Sequence, residues 1–176
     1  AVYALALDSN NDIYVTGGTE SDSLSTTNIA LDTSFQGGRA DGFVTHIQSD
    51  GSSIINSTYI GSSSYDQSYF VELDKPGNVY LLGQTEVTDS TFVKNVTWSN
   101  FGSGQFVAKL SPQLDTLLYA TVFGSGNGIN ISPTAFLVDL CNKMYLAGWG
   151  GAVNNLTSLN NNAGYTNGMP ISTDAY

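Results

Sequence analysis

The chain has 176 residues, 41% of them hydrophobic and only 11% charged, with 15 acidic against 5 basic side chains and a net charge of −10. That length allows one domain with a sizeable core, and a negative field without a basic patch excludes nucleic acid as a partner. Ordinary globular domains are roughly a quarter charged; here Ser, Thr, Asn and 19 Gly supply the polarity instead, which points to an extracellular β-protein rather than a cytosolic enzyme. The single cysteine, Cys141, excludes an internal disulfide, and a zinc cluster or a Ser-His-Asp triad would have to draw on it or on the single histidine, His46. No apolar stretch approaches about 18 residues, so no membrane span is expected, and no signal peptide is seen. The sequence opens inside a strand and stops in mid-pattern, and is read as a piece of a longer protein.

In chain order, Tyr3 to Asp8 alternates bulky and small residues at the period of a strand. The Asp8-Ser-Asn-Asn-Asp12 turn then returns the chain into Ile13-Tyr-Val-Thr16, predicting a hairpin. A long polar segment, 20–40, is pinned to the sheet by Leu24, Ile29, Leu31 and Phe35. Strands follow at Gly42–Gln48 and Ser53–Ile60, closed by the turn Ser49-Asp50-Gly51. The layout then recurs. Tyr69–Asp74 and Val79–Gln84 form a hairpin, and after a linker come Gln105–Leu110 and Thr116–Phe123. A third unit supplies one hairpin, Phe136–Asp139 and Met144–Trp149, then an Asn- and Gly-rich stretch. Tyr14, Tyr80 and Tyr145 mark the repeat at a spacing of about 65 residues, and Gly17, Gly83 and Gly148 keep step. The units are 1–66, 67–131 and a partial 132–176. Four short antiparallel strands per repeat, without helical periodicity, predict an all-β fold of β-propeller blades, about two and a half of them, with a β-sandwich or β-solenoid as the alternative. Propellers typically close with four to eight blades, so the remaining blades are expected elsewhere in the same longer chain.

The stretches LALDSNNDIYVTGGTESDSLSTT, ADGFVTHIQSDGSSIINSTYIGSSSYDQ and GQFVAKLSPQLDTLLYATVFGS resemble the SBBP family of bacterial β-propeller repeats. FLVDLCNKMYLAGWGG and GMPISTDAY look like the variant found in large secreted Bacteroidetes proteins, many of which carry a sorting domain for type IX secretion. Asp8, Tyr14, Thr16 and Gly17 match the family's first hairpin, as do Asp74, Gly77, Asn78, Tyr80 and Gly83. Asp41, Phe43 and Val44 fit its D-A-F-V, and Gly61 and Asp66 its corner. The second unit departs, with Gln105 in place of the first acid and no acid between Gly124 and Asn130. The resemblance implies an extracellular or cell-surface structural or binding module and brings no catalytic residue with it.

The residues themselves assign no catalytic, cofactor-binding or metal site, and no cofactor. Asp8, Asn10 and Asp12 have the D-x-N-x-D spacing of a Ca²⁺ loop but lack the Gly and Glu that would complete it, and are read as an Asx-stabilised turn. The glycine runs 101–104 and 124–128 lack a Walker lysine and are read as tight corners. Tyr14, Tyr80 and Tyr145 are expected in the core. Trp98, Trp149, Tyr165 and Tyr176 fall outside the repeat; Trp149 is read as a packing residue at a blade edge, with sugar stacking as its alternative. His46 is expected at the surface or between blades, and Cys141 as a partly buried thiol. The sequons at Asn56, Asn95, Asn130 and Asn155 are read as chance. The leading reading is a non-catalytic scaffold, adhesion or assembly module whose partners are other protein chains or surface polysaccharide. Its rivals are a carbohydrate-active enzyme with a carboxylate pair and a subunit of an extracellular filament or secretion assembly.

Overall fold

The structure, a computed structural model, describes residues 1–150 and 166–174. Among these the fold is all-β, with ten antiparallel strands and no helix, so nothing helical is long and apolar enough to cross a membrane. The strands are β1 (Val2–Leu7), β2 (Ile13–Thr19), β3 (Asp41–Ile47), β4 (Ile54–Ile60), β5 (Asp66–Leu73), β6 (Val79–Thr85), β7 (Gln105–Leu110), β8 (Leu117–Phe123), β9 (Ser132–Val138) and β10 (Met144–Trp149). Two four-stranded sheets run in chain order, β1-β2-β3-β4 and β5-β6-β7-β8, and β9 pairs with β10 alone. The two larger sheets share their irregularities: a bulge near the start of the first strand, at Val2/Ala4 and Ser68/Phe70, and another after His46 and Lys109. The first of these explains why β5 begins at Asp66 rather than at Tyr69. A bulge resets the register and twists the strand, letting pairing continue beyond it.

Each first hairpin closes by the same local chemistry. Asp8 Oδ1 accepts the backbone N–H groups of Asn10 and Asp12, Asp74 Oδ1 that of Asn78, and Asp139 Oδ1 those of Cys141 and Lys143, all at 2.8–2.9 Å. The third residue after each aspartate has positive φ and is Asn11, Gly77 or Asn142, residue types that tolerate the left-handed region. An Asx turn followed by such a residue is encoded by three or four adjacent positions and needs no distant contact.

The sheets stack face to face. Strand β5 touches β1, β2 and β3 on one side and β9 on the other. The larger core lies between the first two sheets and includes Tyr14, Val44, Ile60, Val71, Val79, Leu81, Phe106, Leu110 and Val122. A smaller one, Tyr80, Leu82, Val107, Phe136 and Val138, joins the second sheet to β9. Alternation along β6 sends Val79 and Leu81 to one core and Tyr80 and Leu82 to the other, so every residue of that strand is buried. At roughly 2 kcal/mol for a buried Leu or Val side chain, this strand alone contributes several kcal/mol.

The ends of the stack are different. Ala4 and Ala6 turn inward, whereas Leu5 and Leu7, on the other face of β1, are 65% and 55% exposed. Every residue of β10 is exposed. Tyr145, expected in the core, is therefore an exposed residue. Tyr14 and Tyr80 are each covered by a third strand, and β10 has none beside it among the described residues. Trp149 stands 45% exposed at the end of β10, paired in register with Ser132, instead of being packed. Trp98 is also exposed, as is Ile29, although Leu31 and Phe35 do pin their loop, Leu31 on the core and Phe35 edge-on to Tyr59. Tyr165, Tyr176 and Asn155 lie outside the described residues. Of the other sequons, Asn56 and Asn130 are buried. Cys141, expected partly buried, is an exposed thiol, because the β9–β10 turn projects beyond the sheet. Native protein should accordingly consume one equivalent of Ellman's reagent per chain without denaturant; a thiol that reacts only in urea would contradict this placement.

Candidate functional site

Where the first hairpin turn faces its neighbours, the structure forms an open groove of about 740 Å³. Its walls come from the β1–β2 turn (Asp8, Ser9, Asn10), the β5–β6 turn (Asp74, Lys75, Pro76, Gly77), the β7–β8 turn (Pro112, Gln113) and Leu140, with Tyr14, His46 and Asn56 within. Strand register puts His46 there. Tyr14 pairs with His46 and His46 with Asn56, so His46 occupies the β3 position beside the repeat tyrosine. The imidazole stacks on the Tyr14 ring with centroids 4.0 Å apart and planes 14° apart. His46 is only 8% exposed, a buried residue and not a surface one. Neither ring nitrogen has a hydrogen-bond partner, and Nε2 lies 3.8 Å from Asp12 Oδ2. Ligand atoms of Asp8, Asp12 and His46 all fall within 4.8 Å of one another. Burial lowers the His46 pKa against the opposing pull of Asp12 and Asp8, which favours the neutral, ligating ring. The same surroundings push the Tyr14 hydroxyl up to about 12, burial first and the two aspartates after it.

The second repeat builds this place differently. Lys109 takes the β7 position beside Tyr80, as His46 does beside Tyr14. Its ammonium lies 2.9 Å from Asp74 Oδ2 and 4.6 Å from the centre of the Tyr80 ring. Asn78 stands where Asp12 stands in the first repeat and donates to both oxygens of Asp74. One half-buried cation pairs with both a carboxylate and an aromatic face. The hydrogen bonds of the tyrosines change accordingly. Tyr80 and Tyr145 donate to the aspartates of their own turns, Asp74 and Asp139, whereas Tyr14 donates across the groove to the Pro112 carbonyl, at 3.3 Å.

A second acidic constellation lies at the opposite ends of these strands. Asp41 opens β3 and Asp66 opens β5, and both are fully buried. Asp41 Oδ2 accepts the Gln36 N–H, and Asp66 Oδ2 accepts the Ser62 N–H and hydroxyl at 2.6 Å. Burial raises both pKa values, that of Asp41 to about 6, and each acid is pushed further by a neighbouring carboxylate. The second repeat places two amides in this region. Gln105 accepts the Asn130 N–H and donates to the Ile131 carbonyl, while Asn130 Oδ1 accepts the Ser125 N–H at 2.7 Å. Asn130, isosteric with Asp66, closes the corner that Asp66 closes in the first repeat. The register makes Gln105 the counterpart of Gly42 and not of Asp41, which corrects its reading as the replacement of that acid. Neither Asp41 nor Asp66 borders the groove. Asp8, Asn10 and Asp12 form the expected Asx turn; what the sequence reading missed is that β3 brings His46 to it.

No protein-family model matches this chain, and neither does any curated protein.

Proposed function

We propose that this chain is a stretch of a non-catalytic β-propeller, similar to the SBBP-type bacterial repeats, from a large secreted or cell-surface bacterial protein. There it serves as a rigid scaffold for adhesion or assembly, presenting its turns and linkers to other protein chains or to surface polysaccharide. The observation that carries this reading is the pair of open apolar faces at the ends of the stack. Leu5 and Leu7 on β1, and Leu137 with its register partner Tyr145 on β9 and β10, are exposed. Their counterparts between sheets one and two and between sheets two and three are buried. Apolar faces of this kind mark places where more protein docks, and further four-stranded blades are the unit that fits a stack already repeating in that form. The neighbouring placement of the first strands, β1 beside β5 and β5 beside β9, agrees with strands gathered around an axis. A scaffold role is further supported by the use of buried Asp66 as a corner brace that Asn130 replaces in the next repeat.

The test is the intact mass and peptide map of the native protein carrying this stretch, together with its action on polysaccharides. The expected result is a mass far above 18.6 kDa, additional Tyr-centred hairpins, and binding without cleavage. A native chain of 18.6 kDa that stays monomeric would overturn the propeller, and release of reducing sugar would overturn the non-catalytic role.

A further inference from the structure

The first two repeats pose the same electrostatic problem at the same place and answer it differently. In the second, Lys109 brings its own cation to Asp74 and Tyr80. In the first, two carboxylates, Asp8 and Asp12, face a buried imidazole that carries no hydrogen bond on either nitrogen. Leaving a buried polar group unpaired is destabilising, so a ring left this way is poised for a partner that the chain itself does not supply. A net charge of −10 concentrates cations around the molecule.

We propose that Asp8, Asp12 and His46 bind one divalent transition-metal ion of the zinc class, with its remaining coordination open to the groove. The donor set decides the class. An imidazole nitrogen with two carboxylate oxygens suits Zn²⁺ and its borderline neighbours, whereas Ca²⁺ and Mg²⁺ take oxygen almost exclusively. Zinc ligands sit about 2.1 Å from the metal, so the aspartates swing inward from the present spread of up to 4.8 Å. Their second oxygens are positioned for this. Asp8 Oδ1 and Asp12 Oδ1 are held by backbone N–H groups, which leaves each Oδ2 to turn toward the ring. The Tyr14 hydroxyl, pointing to Pro112 rather than to Asp8, does not compete. The inference stands independently of the scaffold reading.

The experiment is a calorimetric titration of the untagged chain with ZnCl₂, CaCl₂ and MgCl₂, in a Cys141→Ser background so that the exposed thiol contributes nothing. His46 is the only histidine, so imidazole ¹⁵N shifts report the site without ambiguity. One Zn²⁺ per chain is expected, bound at least about tenfold more tightly than Ca²⁺, with both His46 nitrogens shifted. His46→Lys with Asp12→Asn copies the second repeat's Lys109 and Asn78; it should fold, with unchanged circular dichroism, and lose Zn²⁺ binding. Absence of Zn²⁺ binding at millimolar metal, equal binding of Ca²⁺, or Zn²⁺ binding that survives this double substitution would each overturn the proposal.

Discussion

Phe106→Ala is expected to lower the unfolding free energy by about 3–5 kcal/mol, the range for deleting a fully buried phenyl ring. Phe106 has no exposed surface, and its ring stacks on Phe92 at 4.5 Å between centroids. Phe92 belongs to the linker between β6 and β7, so the pair fastens an irregular segment to the sheet. The opposite wall is Gly83, in register with Phe106. A Cβ at position 83 would stand 2.5 Å from the ring, so the phenyl lies across bare backbone and nothing nearby can move in to refill its volume. Residual cavity is what lifts such a substitution above the transfer cost of the ring alone. Against a total of about 5–15 kcal/mol, the loss is a large fraction of the stability. A drop in melting temperature on the order of 10 °C should accompany it. Urea unfolding followed by circular dichroism measures it, with the slope unchanged if only the native state is affected. Phe43, the counterpart in the first repeat, is 7% exposed and pairs in register with Gly17, with no ring stacked on it among the described residues; its truncation should cost less. A Phe106→Ala loss below about 1.5 kcal/mol, or one no greater than at Phe43, would refute the account of a ring wedged over glycine.

What the sequence made legible is what local chemistry encodes. The aspartate, the turn and the tyrosine of each first hairpin lie within a few positions, and the turn is closed by hydrogen bonds to its own backbone. The all-β class and the strand order in the two full repeats follow from alternation and from turns of the same kind. The candidate site was not legible this way, because Asp8 and Asp12 come from one turn and His46 from a strand beyond the long polar segment. Only the β2–β3 register brings them together. A signal was present nonetheless. Aligning Phe43-Val-Thr-His46 with Phe106-Val-Ala-Lys109 puts histidine and lysine at one position beside the repeat tyrosine, a substitution that asks what cation the first unit uses. Tyr145 misled for the converse reason. Its own strand encodes the same residue type, but burial is conferred by the neighbouring third strand, which β10 lacks among the described residues.

The buried carboxylates make the fold more stable in mild acid than at neutral pH. The Asp41 pKa is about 6 in the folded chain against 3.8 for a free side chain, chiefly because burial penalises its charge. Asp66 is shifted the same way by burial, and it and Asp32 add repulsion on Asp41, while Glu86 adds repulsion on Asp66. Between these two pKa values the folded state holds a proton that the unfolded state has lost, so protonation favours folding. Stability therefore falls as pH rises from about 4 to about 6 and levels off above. For Asp41, a shift of about two units sets an upper limit near 3 kcal/mol. The carboxylates with lowered pKa, among them Asp74 beside Lys109 and Asp139 in its turn, act oppositely, but their contribution is lost at and below the ordinary carboxylate range. In the window from pH 4 to 6 the buried pair acts with Glu72, also raised by burial, against His46, whose lowered pKa costs stability as the pH falls through its ordinary value of 6.5. Asp41 Oδ1 and Asp66 Oδ1 are both buried without a partner, which is where an added proton or an amide hydrogen is accommodated. The second repeat already uses that answer in Asn130, the counterpart of Asp66. Asp41→Asn keeps an acceptor for the Gln36 N–H and removes the charge. It should stabilise the chain at pH 7.5 by about 1–3 kcal/mol, give no gain at pH 4.5, and flatten the dependence between. Urea titrations of both proteins at pH 4.5, 6 and 7.5 decide the matter. A variant no more stable than wild type at pH 7.5, or one with an unchanged slope, would show that Asp41 is ionised in the fold and that its corner is held by charge; the comparison cancels the opposing slope of His46.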